Sequence, residues 1–203
     1  MSIVIRVARP DDAAAMATIY APYVTDTVIS FEMVPPDEAE MAQRLAKTLA
    51  RFPWLVAMCD GDVAGYAYAG QHRERAAYQW SADISVYVHK GLRRRGIGRA
   101  LYRPLFDILR AQGYYNVYAG IALPNPASVA LHEAIGMTPV GVYRHVGYKA
   151  GMWHDVGWWE GVLQEPSADP PPPRALLEVA SVTTWDDWLA HGELPAREPQ
   201  AQP

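Results

Sequence analysis

The sequence contains a single cysteine, Cys59, and its six histidines show no metal-ligand spacing. One cysteine excludes an internal disulfide and any cysteine-rich zinc site, and we expect no bound metal. No apolar run approaches membrane-spanning length, and residues 1–12 lack the basic-then-apolar layout of a signal peptide. The net charge of −4 gives no global sign of nucleic-acid or membrane binding. We therefore expect a soluble cytoplasmic protein.

What is present is the composition of a globular protein, with 50% hydrophobic and 20% charged residues over 203 positions. Strand-like and helix-like patterns follow one another in mixed order, which predicts one α+β layered domain. Pro22 is expected to end the first helix, Asp37 to cap the second, and Asp60 with Gly61 to turn a hairpin. The last predicted strands lie near residues 139–144 and 153–163.

The composition changes at Glu165, where "EPSADPPPPR" is typical of a polyproline-type spacer. The following "TTWDDWLAH" has the pattern of a short amphipathic helix, and residues 192–203 look like a frayed tail. We therefore divide the chain into a domain of residues 1–164 and a Pro-rich C-terminal extension of residues 165–203. The extension is expected to be partly disordered or docked on the domain.

A basic, glycine-rich segment, "GLRRRGIG", separates a predicted strand from a predicted helix. Its glycines permit backbone conformations that other residues avoid, and a helix N-terminus surrounded by arginines suits a phosphate group. From these residues alone, a solvated basic helix start is an equal alternative. The spacing matches neither a Walker A loop nor the dinucleotide fingerprint. The cluster has no interleaved stacking aromatics, which disfavours nucleic acid.

The spacing Arg93-x-x-Gly96-x-Gly98, after the strand "SVYV", resembles the acetyl-CoA motif of the GCN5-related N-acetyltransferases, the GNAT superfamily. "AGIALPNPASVALHEAIGM" is similar to that superfamily's second cofactor-contacting strand and helix. "ISFE", "RAAYQWSADISVYV" and "VGYKAGMWHDVGWWE" resemble the phosphinothricin and methionine sulfone/sulfoximine N-acetyltransferases. The resemblance covers about residues 3–163. It implies a twisted mixed β-sheet with flanking helices, splayed at its centre where acetyl-CoA enters.

The resemblance also implies which residues contact acetyl-CoA, the expected co-substrate. The strand would offer backbone groups to the pantetheine and the thioester, the turn would wrap the pyrophosphate, and a second helix would line the other side. In that order, the residues are Val86, Tyr87 and Val88; Arg93, Arg94, Arg95, Gly96, Ile97, Gly98 and Arg99; and Asn125 and Ser128.

Acetyl transfer to an amine requires a base for the amine proton and a proton for the departing thiolate. Asp83 is the candidate base, although the resembled subfamily usually carries the longer Glu there; the alternative is a carboxylate satisfied by polar neighbours. On an ideal strand Asp83 shares a face with Ser85 and Tyr87, unless a bulge intervenes. His132 stands where related enzymes often place a tyrosine that protonates the thiolate. General acid, cofactor contact and packing are open roles for it.

An arginine that binds an α-carboxylate in a forked geometry would select amino acids over simple amines. The candidate substrate-binding residues are Phe31, Glu32, Arg73, Arg75, Tyr78 and Trp80. We expect a homodimeric enzyme that transfers acetyl directly from acetyl-CoA to the amino group of a small amino-acid-like substrate of the phosphinothricin or methionine sulfone/sulfoximine type. The alternatives are a protein N-terminal or lysine acetyltransferase and a non-catalytic acyl-CoA-binding module.

Overall fold

The computed structural model describes residues 3–180, 182–190 and 192. Its strands are β1 (Ile3–Val7), β2 (Trp54–Cys59), β3 (Asp62–Gln71), β4 (Ser81–Val88), β5 (Asn116–Leu123), β6 (Thr138–Lys149) and β7 (Met152–Val162). Its helices are α1 (Ala13–Thr25), α2 (Glu38–Leu49), α3 (Ile97–Gln112), α4 (Pro126–Ala134), α5 (Leu176–Val179) and α6 (Val182–Ala190). Short 3-10 turns cover Pro10–Asp12, Ala76–Tyr78 and Lys90–Leu92.

The strands form one sheet in the order β1-β2-β3-β4-β5-β7-β6. Neighbouring strands are antiparallel except β4 and β5, which run parallel. β4 pairs with β5 only from Ser81 to Asp83, whereas β3 pairs with β4 as far as Val88. Beyond Asp83 the two central strands therefore part. This opening confirms the predicted mixed sheet, splayed at its centre and flanked by helices.

Two apolar cores cover the two faces of the sheet. Buried side chains of α1 and α2, among them Met16 and Leu45, pack on one face, and those of α3, among them Leu101 and Leu105, pack on the other. Because strand residues alternate between faces, Ile84 of β4 lies in the core beneath α3. Its neighbours Asp83, Ser85 and Tyr87 therefore lie on the opposite face of the sheet.

Local sequence chemistry explains several element boundaries. The Asp37 side chain accepts a hydrogen bond from the Glu40 amide and starts α2, as predicted. Asp60 and Gly61 both have positive φ, 51° and 96°, which matches the two-residue hairpin turn expected for an Asp-Gly pair. The Asn125 side chain caps α4, and Pro126 occupies the first helical position.

Two boundary predictions are wrong. The first helix does not end at Pro22 but continues to Thr25. A proline removes one donor yet has a φ that suits a helix, and burial of Tyr23 and Val24 against the core offsets the lost bond. The strand predicted at residues 139–144 extends to Lys149 because it pairs with β7 up to the turn, across a register shift between Tyr143 and Gly147.

The described part of the extension lies along α3. The Trp80 indole donates to the Pro171 carbonyl at 2.8 Å, and the Arg174 amide donates to the Gln112 carbonyl at 2.8 Å. Leu176, in a helix that the sequence pattern did not predict, is buried in the main core. The predicted frayed tail, apart from residue 192, lies outside the described residues. No helix in the described ranges is long and apolar enough to cross a membrane.

Candidate active site

The parted ends of β4 and β5 open a cleft with two connected parts. The outer part, about 380 Å³, reaches from β4 to the N-terminus of α3 and to α4. The inner part, about 60 Å³, lies between β4 and β5. Val86, Ile29, Asn125 and Ser128 line both parts. The cleft therefore suits an elongated ligand that passes between the strands.

The outer end of the cleft is built to hold an anion. Gly96 has a φ of 82° and caps α3 without a side-chain hydrogen bond, so the cap residue itself does not occupy the amides of the first helical turn. These amides lie at the positive end of the helix dipole. Arg93, Arg94 and Arg99 line the same part of the cleft. Together they provide the donors and the charge that a pyrophosphate requires.

Other predicted residues of this turn have different surroundings. Gly98 lines the cleft, and a Cβ atom there would lie 2.8 Å from a methyl group of Leu131, so glycine lets α3 approach α4 closely. Ile97 also lines the cleft but is itself 1% exposed. The Arg93 guanidinium lies 4.7 Å from the centre of the Tyr23 ring. Arg95 is not among the residues that line the cleft.

The wall formed by β4 includes Val86, Tyr87 and Val88, as the resemblance implied. Sequence reasoning missed Tyr23, whose hydroxyl donates to the Val88 carbonyl at 2.7 Å and accepts from the Val88 amide at 3.2 Å. Opposite this wall, the Asn125 side chain accepts a hydrogen bond from the Ser128 amide at 3.2 Å. Tyr23 thus pairs with backbone groups where β4 has already left β5.

His132 lines the inner cleft and is buried beside a second residue that sequence reasoning missed, Tyr102. His132 Nδ1 lies 2.8 Å from the Ser128 carbonyl, which can only accept, so Nδ1 carries the proton. Nε2 then accepts from the Tyr102 hydroxyl at 3.0 Å. Burial lowers the pKa of His132 and raises that of Tyr102. Both side chains are therefore neutral near pH 7.

Asp83 lies on the face of β4 opposite to Ile84, together with Ser85 and Tyr87, because β4 pairs with β3 without a bulge. Its Oδ1 lies 2.6 Å from Nδ1 of His72, a residue in the loop after β3 that sequence reasoning missed. Burial raises the pKa of the Asp83 carboxyl, and the hydrogen bond and charge of His72 act in the opposite direction. The His72 ring stacks on Tyr118 of β5 at 4.4 Å between ring centres.

Two of the predicted substrate residues lie beside this pair. Arg73 lies over the Trp158 ring at 5.5 Å, and the Tyr78 and His72 rings meet in a T-shaped contact with centres 6.1 Å apart. Arg75 is exposed just before Tyr78, at the start of the 3-10 turn. This loop therefore brings Arg73 and Tyr78 to the same face of the sheet as Asp83.

The remaining predicted substrate residues have other partners. Glu32 accepts from both terminal nitrogens of Arg44, at 2.7 and 3.0 Å, and from the Tyr20 hydroxyl at 2.9 Å. The Arg44 contact is the main reason that the pKa of Glu32 is lowered. Phe31 is partly exposed and packs against Gly147 of β6. The Trp80 indole donates a hydrogen bond to the Pro171 carbonyl of the extension.

The comparisons with known proteins agree with this architecture. The family described as acetyltransferase (GNAT) domain matches residues 5–158. A phosphinothricin N-acetyltransferase of Streptomyces viridochromogenes is 41% identical over 178 residues, which are 88% of this chain and 95% of that protein. An L-methionine sulfoximine/L-methionine sulfone acetyltransferase of Salmonella typhimurium is 34% identical over 165 residues, 81% of this chain and 96% of that protein.

A solved structure shows the same fold. The crystal structure of a GNAT superfamily phosphinothricin acetyltransferase from Sinorhizobium meliloti in complex with AcCoA superposes with a TM-score of 0.79 at 33% identity. The superposition covers 87% of this chain and 99% of that one. The family match covers three quarters of the chain, and the splayed sheet and the helix N-terminus suited to phosphate agree with it. The chain therefore belongs to the GNAT acetyltransferases and is an enzyme of that family.

Proposed function

We propose that the protein transfers the acetyl group of acetyl-CoA to the amino group of a small amino-acid-like substrate of the phosphinothricin or methionine sulfone/sulfoximine type. The observation that carries this proposal is the cleft between β4 and β5, which has a helix end suited to an anion at one side and begins, at the other, where the two strands part just after Asp83. The relatives with these activities align over most of both chains.

The residues that line the cleft suit the chemistry of acetyl-CoA. Arg93, Arg94 and Arg99, with the first amides of α3, would hold the pyrophosphate. The pantetheine arm would follow the outer cleft along Val86 and Val88 toward the narrower inner part. Bound there, acetyl-CoA supplies an activated acetyl group.

The residues around the inner cleft suit the proton transfers that the reaction needs. The acceptor amine must lose a proton before it can attack, and the Asp83–His72 pair would assist this step. The leaving thiolate must gain a proton, which the attacking nitrogen can supply as it becomes an amide. In the hydrogen-bonding arrangement observed, Nε2 of His132 carries no proton, and the single Tyr102 hydroxyl proton is donated to it. His132 would therefore fix the Tyr102 hydroxyl beside the inner cleft rather than protonate the thiolate.

The acceptor would bind on the face of the sheet that carries Asp83, between the loop that contains Phe31 and the loop that contains Arg73. Arg73 is exposed and can rotate onto a carboxylate, which would select amino acids over simple amines. Glu32 is already paired with Arg44, so its contribution would be to shape this loop.

A thiol-release assay tests the proposal. The enzyme is mixed with acetyl-CoA and with phosphinothricin, methionine sulfone, methionine sulfoximine, common amino acids, and peptides with a free N-terminus or lysine. We expect CoA release above background with at least one of the first three. Release only with peptides would replace the proposed substrate class with protein acetylation. Binding of acetyl-CoA without release on any amine would show a non-catalytic binding module.

The homodimer and the cytoplasmic location remain predictions from the sequence. Several large apolar side chains on β6 and β7 are exposed and would suit a subunit contact. They are Val140, Val142, Tyr143, Val146, Tyr148, Met152 and Trp153.

A further inference from the structure

The side chain that faces Asp83 is an imidazole held in a fixed orientation. Asp83 Oδ1 and His72 Nδ1 are 2.6 Å apart, the distance of a strong charge-assisted hydrogen bond. The ring of His72 stacks on Tyr118 with an interplanar angle of 23°. Trp158 and Tyr78 approach the same ring at steep interplanar angles, with centres 6.3 and 6.1 Å away. Three aromatic neighbours and one carboxylate therefore leave the ring little freedom to turn.

The second nitrogen of this ring is available to a ligand. Among the residues that the structure describes, Nε2 of His72 has no hydrogen-bond partner, and the side chain is 11% exposed. When Asp83 is ionised it can only accept, so Nδ1 carries the proton and Nε2 presents a lone pair. This is the arrangement in which a carboxylate orients an imidazole as a general base.

The position of His72 connects it with the cleft. Gly120 of β5 lines the inner part of the cleft, and a Cβ atom on Gly120 would lie 3.3 Å from the Trp158 ring. Trp158 in turn contacts His72. The imidazole therefore lies one side chain away from the place where β4 and β5 part.

Charged groups of both signs lie around the ring. The Asp83 carboxylate of β4 faces Nδ1, and the neighbouring Arg73 donates to the His72 carbonyl at 2.7 Å. Tyr118 from β5 and Tyr78 from the 3-10 turn contribute phenol rings. β7 contributes Trp158 and, opposite Tyr118, the carboxylate of Glu160.

We propose that His72 is the general base of this enzyme and that Asp83 positions it, an inference that rests on the proposed acetyltransferase function. The substrate ammonium gives its proton to Nε2 of His72, and the resulting imidazolium is stabilised by the Asp83 carboxylate. The neutral amine then attacks the acetyl carbonyl, and the tetrahedral intermediate collapses with release of the thiolate. The thiolate takes the second proton of the attacking nitrogen, so the products are a neutral amide and the CoA thiol. The proton on His72 passes to water after the product departs.

Two properties favour His72 over Asp83 as the proton acceptor. An imidazole exchanges protons near neutral pH, where general bases are most effective. The Asp83 carboxylate is short, and its Oδ1 is already occupied by Nδ1 of His72. Nε2 of His72 lies on the side of the ring away from the Asp83 carboxylate, so it can accept a proton from a group that Asp83 does not contact.

The first test is the pH profile of kcat/KM for the acceptor in His72→Phe, a variant that keeps an aromatic ring against Tyr118. The base must be unprotonated, so the wild-type rate should fall as the pH drops through the titration of the pair. In His72→Phe we expect this acid limb to be lost, with a decrease of about 100-fold at pH 7. The only rise of the rate with pH that should remain is the one through the titration of the substrate amine, at higher pH than the limb that is lost. The KM for acetyl-CoA should not change.

Asp83→Asn separates the two candidate bases. If His72 accepts the proton, loss of the neighbouring negative charge makes the imidazole easier to deprotonate, and the acid limb moves to lower pH at reduced kcat. If Asp83 accepts the proton, the limb disappears in Asp83→Asn and is retained in His72→Phe, and the proposal is overturned. Asp107→Asn, which removes a carboxylate from an ion pair with Arg110 on α3, is the matched control and should keep the wild-type profile.

A further measurement excludes a purely structural role. Imidazole added to His72→Ala should restore part of the turnover, because the small base can occupy the vacated space; no restoration in a variant with a native circular dichroism spectrum would count against the proposal. A wild-type enzyme that releases no CoA with any amine would overturn the proposed function and this inference together. An active wild type whose acid limb survives in His72→Phe overturns this inference alone.

Discussion

At the scale of single residues, Lys149 shows how one buried charge can shape the cleft. Its ammonium group donates to the carbonyls of Val24, Ser30 and Glu32 at 2.6, 2.7 and 2.9 Å. Burial lowers the pKa of Lys149, and the charge of Glu32 opposes this effect. The three carbonyls belong to the end of α1 and the loop after it, which carries Ile29 into the cleft. Lys149 therefore ties this loop to β6.

We expect Lys149→Met to loosen the loop. Three buried carbonyls would lose their donor, which should lower the free energy of unfolding by about 2–4 kcal/mol. The KM for the acceptor should rise several-fold because the loop forms one side of its site. Chemical denaturation and steady-state kinetics measure the two effects. Lys47→Met, on the exposed face of α2, is the control, and equal behaviour of the two variants would contradict the role of Lys149.

At the scale of an element, the N-terminus of α3 depends on the conformation of the turn before it. Gly96 adopts a φ of 82° and a ψ of 0°, a region that costs other residues roughly 1–2 kcal/mol. Arg94, with a φ of 63°, already carries such a cost two residues earlier. Two left-handed residues in three direct the first amides of α3 toward the cleft. The left-handed backbone of this turn, rather than the charge of its arginines, leaves the amides of the first turn of α3 accessible to a ligand in the cleft.

Gly96→Val should therefore weaken acetyl-CoA binding at least tenfold, because a β-branched residue would move the turn out of its left-handed conformation. Isothermal titration with acetyl-CoA measures the change. Gly61→Val is a matched control, since Gly61 also has a left-handed φ, of 96°, but has no atom within 4 Å of an added Cβ and lies in the β2–β3 turn. The role of Gly96 would be supported if the two variants lose similar stability but only Gly96→Val loses affinity for acetyl-CoA. An unchanged affinity in Gly96→Val would contradict it.

At the scale of the whole molecule, the described part of the extension belongs to the same packed body as the domain. Leu176 is 2% exposed, and the Gln112 side chain donates to the carbonyls of both Arg51 and Arg174 at 2.7 and 2.9 Å. These contacts join the loop before β2, the end of α3 and the extension. The cleft lies at the other end of α3. Gly192 of the extension packs there against Ala100 and Pro104, which are not among the residues that line the cleft.

A chain that ends at Gln164 should consequently be less stable and still active. Loss of the Leu176 side chain from the core, together with the Arg174 and Pro171 hydrogen bonds, should reduce the free energy of unfolding by about 2–4 kcal/mol. Thermal unfolding measures this loss, and the KM for acetyl-CoA should stay within twofold of the full chain. A full chain carrying Leu177→Ala, at a position 78% exposed, controls for changes in the extension that leave its packing intact. Equal melting temperatures for the truncated and full chains would contradict this prediction.

The parts of the site that the sequence predicted are those with local chemical causes. Gly96 and Gly98 before a helix, Asn125 before Pro126, and the alternation of β4 that places Asp83 opposite Ile84 depend on residues close together in the chain. Backbone propensities and capping preferences act over this range. The mixed sheet and the turn that shapes the cleft followed from such signals together with the family resemblance.

Only the tertiary structure decided which side chains meet. His72 and Asp83 are 11 residues apart, Tyr102 and His132 are 30 apart, and Tyr23 and Val88 are 65 apart. These contacts lie near the place where β4 separates from β5. The periodicity of residues along the chain does not predict them. The sequence by itself determined the elements and the donors that a cofactor needs. The folding of distant segments against one sheet determined the proton-carrying pairs, because hydrogen bonds form between neighbours in space.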